Sequence, residues 1–130
     1  MSSDWIEPDP EYGPKLTQAV QRYADEHGLV ADPWYHDSPI WYITDQVKVP
    51  HAAHGEVLDS TKRIQIGIAH GEGGLELHLI PSRGLHPNQE ELERRKLDWA
   101  KLTKGDFEQT LYQEIGKVWQ AIGSSERPQA

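Results

Sequence analysis

The chain contains no cysteine, one methionine and one phenylalanine among its 130 residues. Without cysteine it has no disulfide framework, no thiolate zinc site and no cysteine nucleophile. A reducing, cytoplasmic setting is the simplest expectation. Long apolar runs are also missing, and the N-terminal MSSDWIEPDPEYGP is acidic and proline-rich rather than basic then apolar. Neither a membrane span nor a secretory signal is therefore expected. Cations are scarce in one half only. Residues 1–61 carry eleven Asp/Glu against three Lys/Arg, whereas residues 62–130 carry ten of each, so the formal charge of −8 belongs to the first half. Because nucleic-acid affinity comes mainly from cations that neutralise phosphates, no nucleic-acid partner is expected.

What is present fits one α+β domain, since 36% of residues are hydrophobic and the length is that of a single core. Residues 1–13 read as an extended acidic arm, 14–123 as the domain, and 124–130 as a disordered tail. Pro14 suits a first helical position, Leu16, Ala19, Val20, Tyr23 and Ala24 recur at helical spacing, and Gly28 provides a left-handed C-cap closed by Leu29. IWYITDQVKV reads as a strand covered on both faces at its start. Glu56-Val57-Leu58 adds a short strand in the connection that follows.

RIQIGIAH-GEGG-LELHLI is an antiparallel hairpin. Its register places 70 opposite 75, 68 opposite 77 and 66 opposite 79, so that Ile64, Ile66 and Ile68 share a face with Leu75, Leu77 and Leu79. The other face carries Gln65, Gly67 and Ala69 beside Glu76, His78 and Ile80. Asn88 with Glu91 has the spacing of a helix capping box, and Leu92, Trp99 and Leu102 give that helix an apolar stripe. Asp106 with Gln109 repeats the arrangement before the stripe Phe107, Leu111, Ile115, Val118, Trp119 and Ile122. The expected architecture is an N-terminal helix, a mainly antiparallel sheet of three to four strands over 34–80, and two C-terminal helices packed on the sheet. The apolar stripe of the last helix needs a large partner, either this sheet or a second subunit in a homodimer.

Candidate sites are few. His51-Ala-Ala-His54 places two imidazoles on one side of a helical turn, with His70, His78, Glu56 or Glu72 as completing ligands for a metal. His70 and His78 fall on opposite hairpin faces, however, and a bare HxxH equally describes a polar loop. On the small-residue face Glu76 and His78 could serve as acid and base, with Arg63 holding an anionic group. The same face could instead be a close docking surface made by Gly67 and Ala69. HGEGG is followed by a strand and lacks the Lys-Ser/Thr ending of a phosphate loop, which makes it a hairpin turn. No GxSxG or HExxH is present, and no cofactor is expected.

Trp41, Trp99 and Trp119 are expected in the core. Trp34 and Tyr35, flanked by Asp32 and Asp37 in a proline-bounded loop, are the candidate partner-binding residues. Arg94, Arg95 and Lys96 form a cationic cluster that Glu90, Glu91 and Glu93 balance along a solvated helix face. The function expected from these features is a small acidic binding module for a protein partner with a basic surface, of inhibitor, immunity-factor or regulator type. The alternative is an enzyme or ligand-binding protein that uses the histidines and Glu76.

Overall fold

A computed structural model describes residues 5–33, 38–85 and 89–125, with the side chains of 33, 51 and 123–125 outside that description. Helix α1 spans Tyr12–His27, beginning two residues before Pro14, and ends on Gly28 at φ 67°. Gly28 N and Leu29 N both donate to Ala24 O, and Leu29 packs against the core. Glycine adopts this backbone conformation without the steric cost a Cβ would bring.

The sheet is antiparallel, as expected, but larger than three or four strands and not confined to 34–80. Its six strands are β1 (Val30–Pro33), β2 (Ile40–Thr44), β5 (Lys62–Gly71), β6 (Gly74–Arg83), β7 (Glu90–Glu91) and β8 (Arg95–Asp98). They run in the order β1-β2-β5-β6, and the outer edge of β6 is shared between β7 and β8. A separate ribbon pairs β3 (Val47–His51) with β4 (Gly55–Asp59). The β5–β6 register is the expected one: His70 faces Leu75, Ile68 faces Leu77 and Ile66 faces Leu79, around a two-residue turn at Glu72-Gly73.

Two local expectations are corrected. IWYITDQVKV is not one strand, because the chain leaves the sheet at Asp45, whose carboxylate accepts from Thr61 N (2.8 Å), Lys62 N (3.0 Å) and the Thr61 hydroxyl. Those bonds tie the two feet of the ribbon together. The helix expected from Asn88 does not form either. Asn88 itself is outside the described residues, and the segment expected to be its first turns supplies β7 and β8, since the edge of β6 offers unpaired backbone groups that this segment satisfies. Helix α2 is only Trp99–Lys104, and its N-cap is Asp98, which accepts from Ala100 N at 3.3 Å.

Helix α3 (Phe107–Ser125) and α1 lie on the isoleucine/leucine face. Leu111, Ile115 and Ile122 are at most 1% exposed among Leu16, Val20, Trp41, Ile64, Ile66, Leu77 and Leu79. The stripe of α3 is thus buried within the single chain. Trp41 is fully buried and its indole N–H donates to Thr17 Oγ1 at 2.9 Å, while Trp99 and Trp119 are partly buried at the core margin. No helix among the described residues is long and apolar enough to cross a membrane. With all helices on one face, the opposite face of the sheet is left for other uses.

Candidate functional site

The open face divides into two regions. The first holds His78 and Glu76. Gly67, the register partner of His78, has no side chain, and Trp5 of the N-terminal arm fills that space: a Cβ at Gly67 would lie 2.6 Å from Trp5 Cε3. The arm is held beside β5 by a bond from Ile6 N to Ile68 O at 2.8 Å, and the Trp5 ring meets His78 edge-on at 6.0 Å. Arg94 Nη1 lies 3.1 Å from His78 Nδ1, and His78 Nε2 lies 3.1 Å from Glu76 Oε1. A guanidinium only donates, so Nδ1 accepts from it and the ring proton is assigned to Nε2, which donates to Glu76. Acid–base work needs a ring nitrogen that can reach a reacting group. Here both nitrogens are engaged and the residue is 6% exposed, an arrangement that anchors the arm.

The second region is a cleft of about 540 Å³ at the foot of the ribbon. Strand pairing builds it in two rows across the sheet. Val30, Thr44, Arg63 and Ser82 are successive partners, as are Asp32, Tyr42, Gln65 and Ile80. Directly opposed residues share a face, so both rows lie on the open side. Val30, Asp32, Tyr42, Thr44 and Arg63 line the cleft together with Gln46, Asp59 and Ser60 of the ribbon base and with Gln89. Within it the Tyr42 hydroxyl donates to Gln65 Oε1 at 2.8 Å.

Arg63 is the unusual member. It is 9% exposed, and its Nε and Nη2 donate to Ser60 Oγ (3.3 and 3.0 Å), Ser60 O (2.6 Å) and Gly84 O (3.1 Å). All of these acceptors are neutral oxygens, and the buried Nη1 has no hydrogen-bond partner. Buried charges are ordinarily paired, and a buried donor without an acceptor costs about 1–3 kcal/mol. Arg83 also has an unpartnered Nη1, but its Nε meets the Glu90 carboxylate at 3.2 Å.

The structure therefore regroups the residues singled out by sequence. Arg63 stands four residues along β5 from Gly67, roughly 13 Å, and shares a cavity with Asp32 instead of with His78 and Glu76. Trp34, Tyr35 and Asp37 lie outside the described residues, in the segment that directly follows β1. His51 ends β3 and His54 is the last residue of the three-residue turn that leads into β4, not of a helical turn; His54 is exposed, and the His51 side chain is outside the description. Among the described residues no three His, Asp or Glu side chains are grouped so as to hold a metal ion.

The cationic cluster is a further correction, because Arg94–Lys96 do not share a solvated helix face. Arg95 opposes Leu79 on the helix side and binds Glu114 of α3 at 3.0 Å, while Lys96 opposes His78 on the open side. Among the cleft residues, sequence reasoning missed Val30, Tyr42, Thr44, Gln46, Asp59, Ser60 and Gln89. The parity of Arg63 with Gly67 put Arg63 on this face, but nothing local announced that β1 would bring Asp32 alongside. Compared with family models, with curated proteins and with solved structures, the chain matches none of them.

Proposed function

We propose that the protein is a small acidic binding module which recognises a basic surface on a protein partner through the cleft at the ribbon foot. It would act in the manner of an inhibitor, immunity factor or regulator, in a reducing cytoplasm where a cysteine-free chain is at no disadvantage. The observation that supports this reading best is the meeting of Asp32 from β1 with Asp59 from the ribbon around one concavity. Exposed apolar side chains flank these charges: Val30 is 39% exposed in the cleft wall, and Leu58, beside Asp59, is 61% exposed. Carboxylates next to accessible apolar surface suit a polar-rimmed protein contact. The alternative reading, an acid–base site at His78 and Glu76, has less support because both imidazole nitrogens are occupied and Arg63 is remote from them.

The test is affinity capture from the native host with wild type and Asp32→Lys in parallel. Asp32 is exposed, so reversing its charge leaves the fold intact. The expected result is a partner retained by the wild type, released by salt and reduced at least about tenfold with the variant. Equal retention by both proteins would contradict the reading.

A further inference from the structure

On the helix side of the sheet the outer edge is interrupted. Glu91 pairs with Ser82 and Arg95 with Leu79, so the edge residues 92–94 oppose only Ile80 and Pro81. The extra residue makes a β-bulge, a feature common beside binding sites because it bends the strand and re-aims its side chains. Between this bulge and α3 lies a groove of about 380 Å³, to which Pro81, Glu93, Arg95, Lys117, Val118 and Ala121 contribute. We propose that the groove binds a short-chain organic carboxylate, with the carboxylate on Arg95 and Lys117 and the apolar body along Pro81, Val118 and Ala121.

Three observations carry this. First, Arg95 Nε (3.0 Å) and Lys117 Nζ (3.3 Å) share the single buried carboxylate of Glu114, which leaves one positive charge over in a chain whose formal charge is −8. Second, the remaining donors are accessible. The side chains of Arg95 and Lys117 are 53% and 70% exposed, and among the described residues no acceptor meets Nη1 or Nη2 of Arg95. A carboxylate can take both of those nitrogens side by side, a charge-assisted pairing that leaves the bond to Glu114 intact and asks for no opening of the groove. Third, Pro81, Val118 and Ala121 present carbon to the groove, and its volume lies within the roughly 300–1,000 Å³ of small-ligand sites. A bare inorganic anion would leave that surface wet, whereas an alkyl chain covers it. Arg94 also borders the groove but commits its guanidinium to His78 and Glu91. Glu93 is the one carboxylate in the lining, and it opposes the ligand.

The test is an amide chemical-shift titration of the labelled protein with sodium hexanoate, in parallel with hexanamide and with sodium acetate at matched ionic strength. Hexanoate moves the amides of residues 93–96 and 117–121 together. Hexanamide, which keeps the chain and loses the charge, binds at least about tenfold more weakly, the scale of a lost hydrogen bond to a charged group. Acetate, which keeps the charge and loses the chain, is also at least about tenfold weaker. Arg95→Gln removes the preference for hexanoate over hexanamide. Should that variant fail to fold because Glu114 loses its partner, two changes at exposed positions decide: Lys117→Gln weakens hexanoate, and Ala121→Phe fills the groove and abolishes binding. Glu93→Gln tightens it. Equal binding of hexanoate and hexanamide, equal binding of hexanoate and acetate, shifts that survive Ala121→Phe, or no shifts at all each overturn the inference. The cleft at the ribbon foot is a separate surface, so its reading stands or falls on its own test.

Discussion

Gly67 shows how one missing side chain sets the use of a surface. The space it leaves on β5 is occupied by the Trp5 indole, and His78 on the next strand holds the edge of that ring. Alanine at this position would put its Cβ inside the indole, so Gly67→Ala should displace the arm. The expected loss is about 1–3 kcal/mol, the usual range for overpacking, with earlier proteolysis among residues 5–11. Adding Trp5→Ala to Gly67→Ala should then cost less than Trp5→Ala does alone, since residues in contact are not additive. Wild-type stability in thermal unfolding, with an arm still protected from protease, would show that Trp5 is not seated as described. Arg63 is the counterpart at the other end of the face. Its fork is held by Ser60 and Gly84, yet one nitrogen has no acceptor.

Among the elements, the hairpin β5–β6 was legible in full. Alternation along RIQIGIAH and LELHLI fixes a period of two, and the glycine-rich turn between them leaves one register that puts Ile64, Ile66 and Ile68 on one face with Leu75, Leu77 and Leu79. Helix α1 and its Gly28 cap were legible for the same reason, because the signals are local. Residues 90–98 were not. Their glutamates, arginines and leucines favour helix, and the deciding influence is the edge of β6, a partner that no window around residue 95 contains. The candidate site was half legible: Arg63 and Asp32 were each singled out, but in different hypotheses. Their union depends on β1 pairing β2 and β2 pairing β5, contacts that are distant in sequence.

Strand β8 also carries a pH-sensitive join to α3. Burial raises the Glu114 carboxyl, but hydrogen bonds and charge from Arg95 and Lys117 outweigh it and hold the group below its ordinary value of 4.5. A carboxyl depressed in the folded state stabilises above its unfolded value, and that contribution is lost as pH falls through the folded value. Denaturation followed from pH 7 downward should therefore show wild type losing stability below about pH 4.5. The Glu114→Gln variant should be less stable at pH 7, and the gap should close toward low pH. A gap that stays constant across this range would exclude the Arg95–Glu114–Lys117 join as its source.

At the scale of the whole molecule, the helices occupy one face and the acidic first half is spread over the arm, α1, β1 and the ribbon. The charge of −8 is therefore not gathered on one side, because Glu7 and Asp9 lie in the arm and Glu11 at the N-cap of α1 while Asp25 and Glu26 lie at the far end of that helix. Asp45 serves the fold, and Glu26 accepts from the Tyr112 hydroxyl to tie α1 to α3. Asp32 and Asp59 both line the cleft. The partner recognition proposed above would then use the open face, near the ribbon foot, and not the helical layer.

The most direct test of that claim is an amide chemical-shift titration of the labelled protein with a short lysine-rich peptide standing in for a basic partner surface. Binding at the cleft should move the amides of Asp32, Tyr42, Thr44, Ser60, Arg63 and Gln65 together, leaving α1 and α3 unchanged. Shifts centred on the helical face or on β8, or none at all, would contradict the account.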